Sequence, residues 1–126
     1  MKKLSYNQVV SLHHEMIMET GGVEGIRDNT LLESALNAPF QGYQDTYFYP
    51  TIQQKGARLG YGLIKNHAFY DGNKRIGAHV MLIFLELNGV HLTYSQEELI
   101  DIVLQIARDV KTFDDLTQWI YQHEKK

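Results

Sequence analysis

Cysteine is absent from this chain of 126 residues, so a disulfide framework and thiolate chemistry are both excluded. A cysteine-free chain suits a reducing compartment, and cytoplasmic localisation is the expectation. Proline occurs at Pro39 and Pro50 and nowhere else, which leaves long stretches open to helix. No apolar run is long enough to span a bilayer, and the opening MKKLSYNQVV carries two lysines without an export-type apolar segment, so no membrane association is expected. Excess positive charge is lacking too. The net charge of −3 argues against broad nucleic-acid binding, which rests on many cationic contacts to phosphate. There is no internal repeat, low-complexity tract or linker-like shift in composition. The length and the 44% hydrophobic content imply one domain, 1–126, with a core of its own.

What is present reads mostly as helix. Ser5 and Gln8 form a capping-box pair, followed by Val9, Leu12, His13 and Met16 on one helical face to about Thr20. His14-Glu15 opens like the zinc motif HExxH, but Met18 stands where the second histidine belongs, so a metalloprotease is excluded. Gly21, Gly22 and Gly25 make a loop, and Asp28 or Asn29 caps a short helix over 30–38 that Pro39 stops. The segment FQGYQDTYFYP over 40–50 has no helical period and four aromatics after its glycine. Thr51 and Gln54 cap a helix over 52–66 with Ile52, Leu59, Leu63 and Ile64 as its buried stripe, and Gly56 and Gly60 permit close packing. A second helix over 74–88 is apolar nearly all round from Ile76 to Leu87, the mark of a central helix, and Asn88-Gly89 ends it. Residues 90–94 read as extended. Ser95 with Glu98 and Thr112 with Asp115 cap two last helices, and the lysine-rich end reads as a solvated tail. The expected class is all-α, a compact helical bundle.

Between the two central helices lies His67-Ala-Phe-Tyr-Asp-Gly-Asn-Lys-Arg75, the densest stretch of chemistry in the chain. The first amides of a helix have no partners within it and sit at the positive end of the peptide dipoles, so Gly72, Asn73 and the residues after them suit an anion. Gly72 allows close backbone approach. Lys74 adds a point charge and Arg75 a planar fork for two phosphate oxygens, so Gly72, Asn73, Lys74 and Arg75 together describe a polyphosphate seat. Asp71 is a hard oxygen ligand placed for Mg²⁺ bridging a carboxylate and phosphates. His67, outside the seat, is the natural general base. Taken singly, each residue has an ordinary explanation: His67 as a helix C-terminal residue, Asp71 in a turn, Asn73 as a cap, Lys74 and Arg75 as a solvated pair. Phe69 belongs to the core. His79, one turn beyond Arg75, faces the same region.

HAFYDGNKR resembles the Fic/Doc signature HxFx(D/E)GNxR, with the NKR ending of its Doc (death-on-curing) branch. Leu12-His13-His14-Glu15, GGVEGIRD over 21–28, LLESAL over 31–36 and FLELNG over 84–89 are similar to Doc-type sequence in the same order. The resemblance implies a Fic/Doc-type bundle in which residues 40–50 form a flap for an extended target segment, against the plainer alternative of an aromatic loop folded on the core. It implies a toxin of a toxin-antitoxin system, held inactive by a Phd-like antitoxin, that uses ATP and Mg²⁺ to phosphorylate a Thr or Ser hydroxyl of a translation factor such as EF-Tu. It also makes Lys65 a second-rank nucleotide-binding candidate, although its place at a helix end explains it without function. AMP-transferring relatives commonly carry a second arginine three residues after the first; here that position is Ala78, which favours γ-phosphoryl transfer. Gly72, where Doc-type sequence also carries alanine, keeps AMP transfer open. Thr20 to Gly25 matches the inhibitory pattern (S/T)xxxE(G/N), but three glycines disfavour the helix it needs by about 1 kcal/mol each, so a plain turn is expected. A non-catalytic module that only binds an antitoxin is the alternative from another class.

Overall fold

Short-range capping decides where most of the helices begin. In the computed structural model, which describes residues 1–125, α1 (Tyr6–Thr20) opens on Ser5 and α3 (Ile52–Asn66) on Thr51, each within a capping box. The same device starts α5 (Gln96–Ala107) at Ser95 and α6 (Phe113–His123) at Thr112. In α2 (Asn29–Asn37) the Asp28 carboxylate takes the Leu31 amide. A first-turn amide left unpaired would otherwise cost stability, and a cap of this kind contributes about 1 kcal/mol. Helix α2 stops before Pro39, as expected, and Ala38–Phe40 follows as one 3-10 turn with Pro39 buried, because proline is tolerated in the first turn of a helix.

The remaining helix, α4 (Asn73–Leu87), lies antiparallel against α3, and glycine sets how close the two come. A Cβ on Gly56 would stand 2.6 Å from Leu85 Cδ2, one on Gly60 2.9 Å from Met81 Sδ, and one on Gly77 2.7 Å from Ile64 Cγ1. Around this pair, α2, the 3-10 turn and α6 pack on α3, α1 packs on α4, and α5 touches both. Val9, Leu32, Leu63, Ile76, Phe84, Ile106 and Ile120 meet in one core. The architecture is all-α, with a two-stranded hairpin, β1 (Gly42–Tyr43) and β2 (Thr46–Tyr47), as its sole sheet among the described residues. No helix among them is long and apolar enough to cross a membrane.

Two expectations are corrected. Helix α4 is central without being buried all round: Lys74, Arg75, His79, Glu86 and Leu87 are exposed, and Ala78 and Leu82 border an open cavity. Ala78 and Leu82 are half-buried, packed against the core on one side and facing the cavity on the other. Nor is the C-terminal end a free tail up to Lys125. Thr93 donates to the His123 carbonyl (2.8 Å) and Lys125 to that of His91 (2.7 Å), so the end pairs with the 90–94 strand-like stretch; Lys126 lies outside the described residues.

His123 locks this end. Its Nδ1 donates to the Trp119 carbonyl and its Nε2 to the Glu98 carboxylate, both at 2.7 Å, so both nitrogens carry protons and the ring is an imidazolium. Burial opposes that charge, but Glu98 and the Trp119 carbonyl outweigh it and raise the His123 pKa. The Ser95 amide and then His123 hold Glu98 down to about 2. A raised histidine stabilises below its unfolded value and loses that contribution as pH rises through its folded pKa. A depressed carboxylate stabilises above its unfolded value and loses it as pH falls towards about 2. We expect His123→Gln to lower the thermal midpoint at pH 5.5 and to leave it near wild type at pH 9, measured by calorimetry; an equal loss at both pH values would contradict the pairing.

Candidate active site

The HAFYDGNKR segment forms the turn from α3 into α4, as its flanking helical patterns imply. His67 closes α3 in the left-handed region (φ 49°, ψ 45°), which turns the chain sharply away from the helix. Its carbonyl is held by Arg27 Nε at 2.7 Å, while its imidazole is exposed and has no hydrogen-bond partner among the described residues. Ala68 and Phe69 then dive into the core. Asn73 clamps Phe69 from the first residue of α4: its Oδ1 accepts the Phe69 amide and its Nδ2 donates to the Phe69 carbonyl, each at 3.0 Å. The Asn73 side chain, singled out for nucleotide binding, is therefore turned inward, with its oxygen and its nitrogen each bonded to Phe69. What Asn73 still offers outward is its backbone amide.

The loop over 21–28 lies along this turn and pairs with it. Arg27 and Asp28 both donate to the Ala68 carbonyl, Tyr70 donates to the Gly25 carbonyl, and Ile26 and Phe69 form an antiparallel bridge. Glycine is needed here for space. A Cβ on Gly22 would stand 2.6 Å from Asp71 Oδ2 at a φ of +126°, so loop and carboxylate approach as only glycine permits.

Asp71 precedes the helix with its carboxylate doubly engaged. Oδ1 accepts the Gly72 amide (2.8 Å) and Oδ2 the Val23 amide (3.0 Å). The Val23 amide first and the Gly72 amide second lower its pKa, partly opposed by desolvation, with Arg75 and His13 assisting. An ionised single carboxylate fits Mg²⁺, which takes its other ligands from water and substrate phosphates. A closed cage fits less well, since among the described residues no three His, Cys, Asp or Glu side chains gather to hold a metal.

Gly72 is the N-cap of α4 with φ +76°, and no side chain caps this helix, unlike α1, α2, α3, α5 and α6. The helical ladder opens with Ile76 donating to the Gly72 carbonyl, and the amides of Asn73, Lys74 and Arg75 meet no acceptor among the described residues. Three convergent N–H groups at the positive end of a helix are an anion site by construction. Lys74 and Arg75 stand exposed in the same turn. Arg75 rests on the loop, donating to Thr20 Oγ1 and reaching the Gly21 carbonyl at 3.4 Å. A cavity of about 730 Å³ opens beside Lys74 and Arg75, with Leu12, Met16, Ala78, Leu82, Leu99 and Val103 as apolar wall and His79 on its rim.

Other singled-out groups lie elsewhere. Lys65 pairs with Asp109 in the turn between α5 and α6, so its ammonium is engaged away from the seat. Glu24, the acid of the inhibitory pattern, pairs with His14 and not with Arg75, and Thr20 to Gly25 is the end of α1 followed by a loop rather than a helix. The 40–50 segment is the β-hairpin, with Tyr43, Tyr47 and Phe48 exposed and Tyr49 packed edge-on against Phe113. Its anchor was invisible in the sequence: Lys55, buried in α3, donates to the Tyr49 carbonyl (2.5 Å) and lies 3.9 Å from the Tyr47 ring centre. Burial first, then Lys3, lowers its pKa. His13 was also missed as part of this region. It is 2% exposed, and its Nε2 lies 2.8 Å from the Asp71 carbonyl. The only signal was its place in the Leu12-His13-His14-Glu15 segment.

Known proteins share much of this sequence. The family model described as Fic/DOC family matches residues 3–85, which take in α1 through most of α4 and so the whole turn. Among curated proteins the chain is similar to one named Toxin Doc, from Mycolicibacterium smegmatis, with 34% identity over 89 residues, 69% of this chain and 68% of that protein.

Proposed function

Because the chain belongs to the Fic/Doc family, we propose that it is the toxin of a toxin-antitoxin pair and moves the γ-phosphoryl of ATP to a Thr or Ser hydroxyl of a translation factor such as EF-Tu. The observation that carries this reading is the uncapped start of α4, where three free amides stand beside Lys74 and Arg75. They suit polyphosphate. The neighbouring cavity, about 730 Å³ and largely apolar in its wall, lies within the range of small-ligand pockets and takes the base and ribose.

His67 removes the proton from the target hydroxyl, whose oxygen attacks the γ-phosphorus. The bond from that phosphorus to the β–γ bridging oxygen breaks, and ADP leaves. The amides of Asn73, Lys74 and Arg75, with the two cationic side chains, offset charge on the phosphates as it shifts. Arg75 exchanges the Gly21 carbonyl for a phosphate oxygen, a trade that a charge-assisted pair favours. Asp71 would hold Mg²⁺, which when bound neutralises phosphate charge. The exposed aromatics of the β1–β2 hairpin receive the target chain. A Phd-like antitoxin is the expected partner that silences the site.

ATP labelled separately at the α and γ positions, incubated with the protein and purified translation factors, tests the reaction. Transfer of the γ label alone is the expected result, consistent with Ala78 standing where AMP-transferring relatives place a second arginine. Retention of the α label on the target would make the protein an AMP transferase, and retention of neither would leave a binding module.

A further inference from the structure

We propose that His13 is a positioning residue for Asp71, acting as a hydrogen-bond donor that fixes the peptide carrying the cation-binding carboxylate. The proposal rests on the phosphotransfer reading for the role of Asp71, and on geometry for the rest. The Asp71 carbonyl lies one residue outside the α4 ladder, which opens with Gly72, so the helix itself provides it no partner. His13 reaches it from α1, 58 residues away in the chain, at 2.8 Å. A carbonyl only accepts, so Nε2 carries the proton.

The same ring lies flat on Phe69, with centroids 3.8 Å apart and planes 10° apart. His13 thus touches the motif turn at two points, by its face at Phe69 and by its N–H at Asp71. Packing alone does not explain a histidine here. A buried polar group is costly unless bonded, and a phenylalanine would stack on Phe69 equally well. With the carboxylate oxygens held by the Gly72 and Val23 amides, Asp71 is fixed from both its ends. This is the support that a site tolerant of only small displacements requires from the residues behind it.

The test separates donor from ring. His13→Phe keeps the stack and loses the N–H; His13→Gln loses the ring and keeps an N–H of similar reach. Hydrogen exchange is read at the Gly72 and Val23 amides in nucleotide-free protein, with Met81 and Ile106 amides as core controls, and Mg·ATP affinity is read by calorimetry. Losing one buried bond of this kind corresponds to about tenfold faster exchange at Gly72 and Val23 and about tenfold weaker Mg·ATP binding in His13→Phe, with the core unchanged. His13→Gln returns both to within about threefold of wild type. Equal losses in both variants, or a His13→Phe protein like wild type, overturn the proposal. Should neither variant fold, the ¹⁵N spectrum of wild-type His13 decides: a slowly exchanging Nε2–H coupled to the Asp71 carbonyl carbon supports it, and an Nδ1–H tautomer overturns it. A wild type that shows the exchange pattern yet binds no Mg·ATP removes the phosphotransfer reading and leaves His13 in its positioning role.

Discussion

His67→Ala is expected to lower transfer of phosphate to the target by about 10²–10⁴-fold while Mg·ATP affinity stays within about twofold of wild type. The imidazole is exposed and without a hydrogen-bond partner among the described residues, so its removal leaves no buried group unsatisfied and costs little stability. Backbone strain argues the same way, because His67 already holds the left-handed region at φ 49° and alanine meets the same steric cost there. Single-turnover transfer with labelled ATP, alongside calorimetric titration of the same sample, separates chemistry from binding. Wild-type transfer by the variant would remove His67 from the reaction, and a collapse of nucleotide affinity would make it a binding residue.

Asn73→Ala is expected to cost about 2–4 kcal/mol of folding stability, because two buried backbone groups of Phe69 lose their partners together. Asn73→Asp keeps an acceptor for the Phe69 amide but has no donor for its carbonyl, so it should fall between alanine and wild type. Equilibrium unfolding in urea gives the ranking. A loss under about 0.5 kcal/mol in Asn73→Ala would show that water replaces the clamp without cost and that the turn is held by other contacts.

This clamp also marks where the sequence stops being informative. Ser5, Thr51, Ser95 and Thr112 announce their helices because a capping box joins residues three apart, and such a pattern is complete within one turn of chain. The glycines of α3 were legible for a similar reason: at a spacing of four they share one helical face, and Leu85 and Met81 do fill the space they leave. Asn73 was visible as a motif residue, but not that its side chain faces the core, since cap and clamp use the same atoms. Pairings made across the fold are not written in local spacing. His13 bonds to a carbonyl 58 positions on, Lys65 meets Asp109 from 44 positions away, and Glu124 bridges to Leu92. Each pairing depends on how helices cross. Lys55 is the plainest case, because a lysine amid the polar residues of an amphipathic helix reads as solvated, and here it is buried under the hairpin. The apolar surround of α4 misled in the other direction. Hydrophobicity on every side signals burial, whereas Ala78 and Leu82 wall an open cavity, the position a ligand would fill.

The central claim is that the unpaired amides at the start of α4 grip the phosphates of a nucleotide, with His67 of the same motif as the base. Its most direct measurement is an amide NMR titration of the isotopically labelled protein with ATP in the presence of magnesium. The expected result is saturable shifts largest at Asn73, Lys74 and Arg75, with the capped first-turn amides of Gln54 and Glu98 unmoved as internal controls. Saturable shifts confined to other surfaces, or no shifts at millimolar ATP, would contradict it.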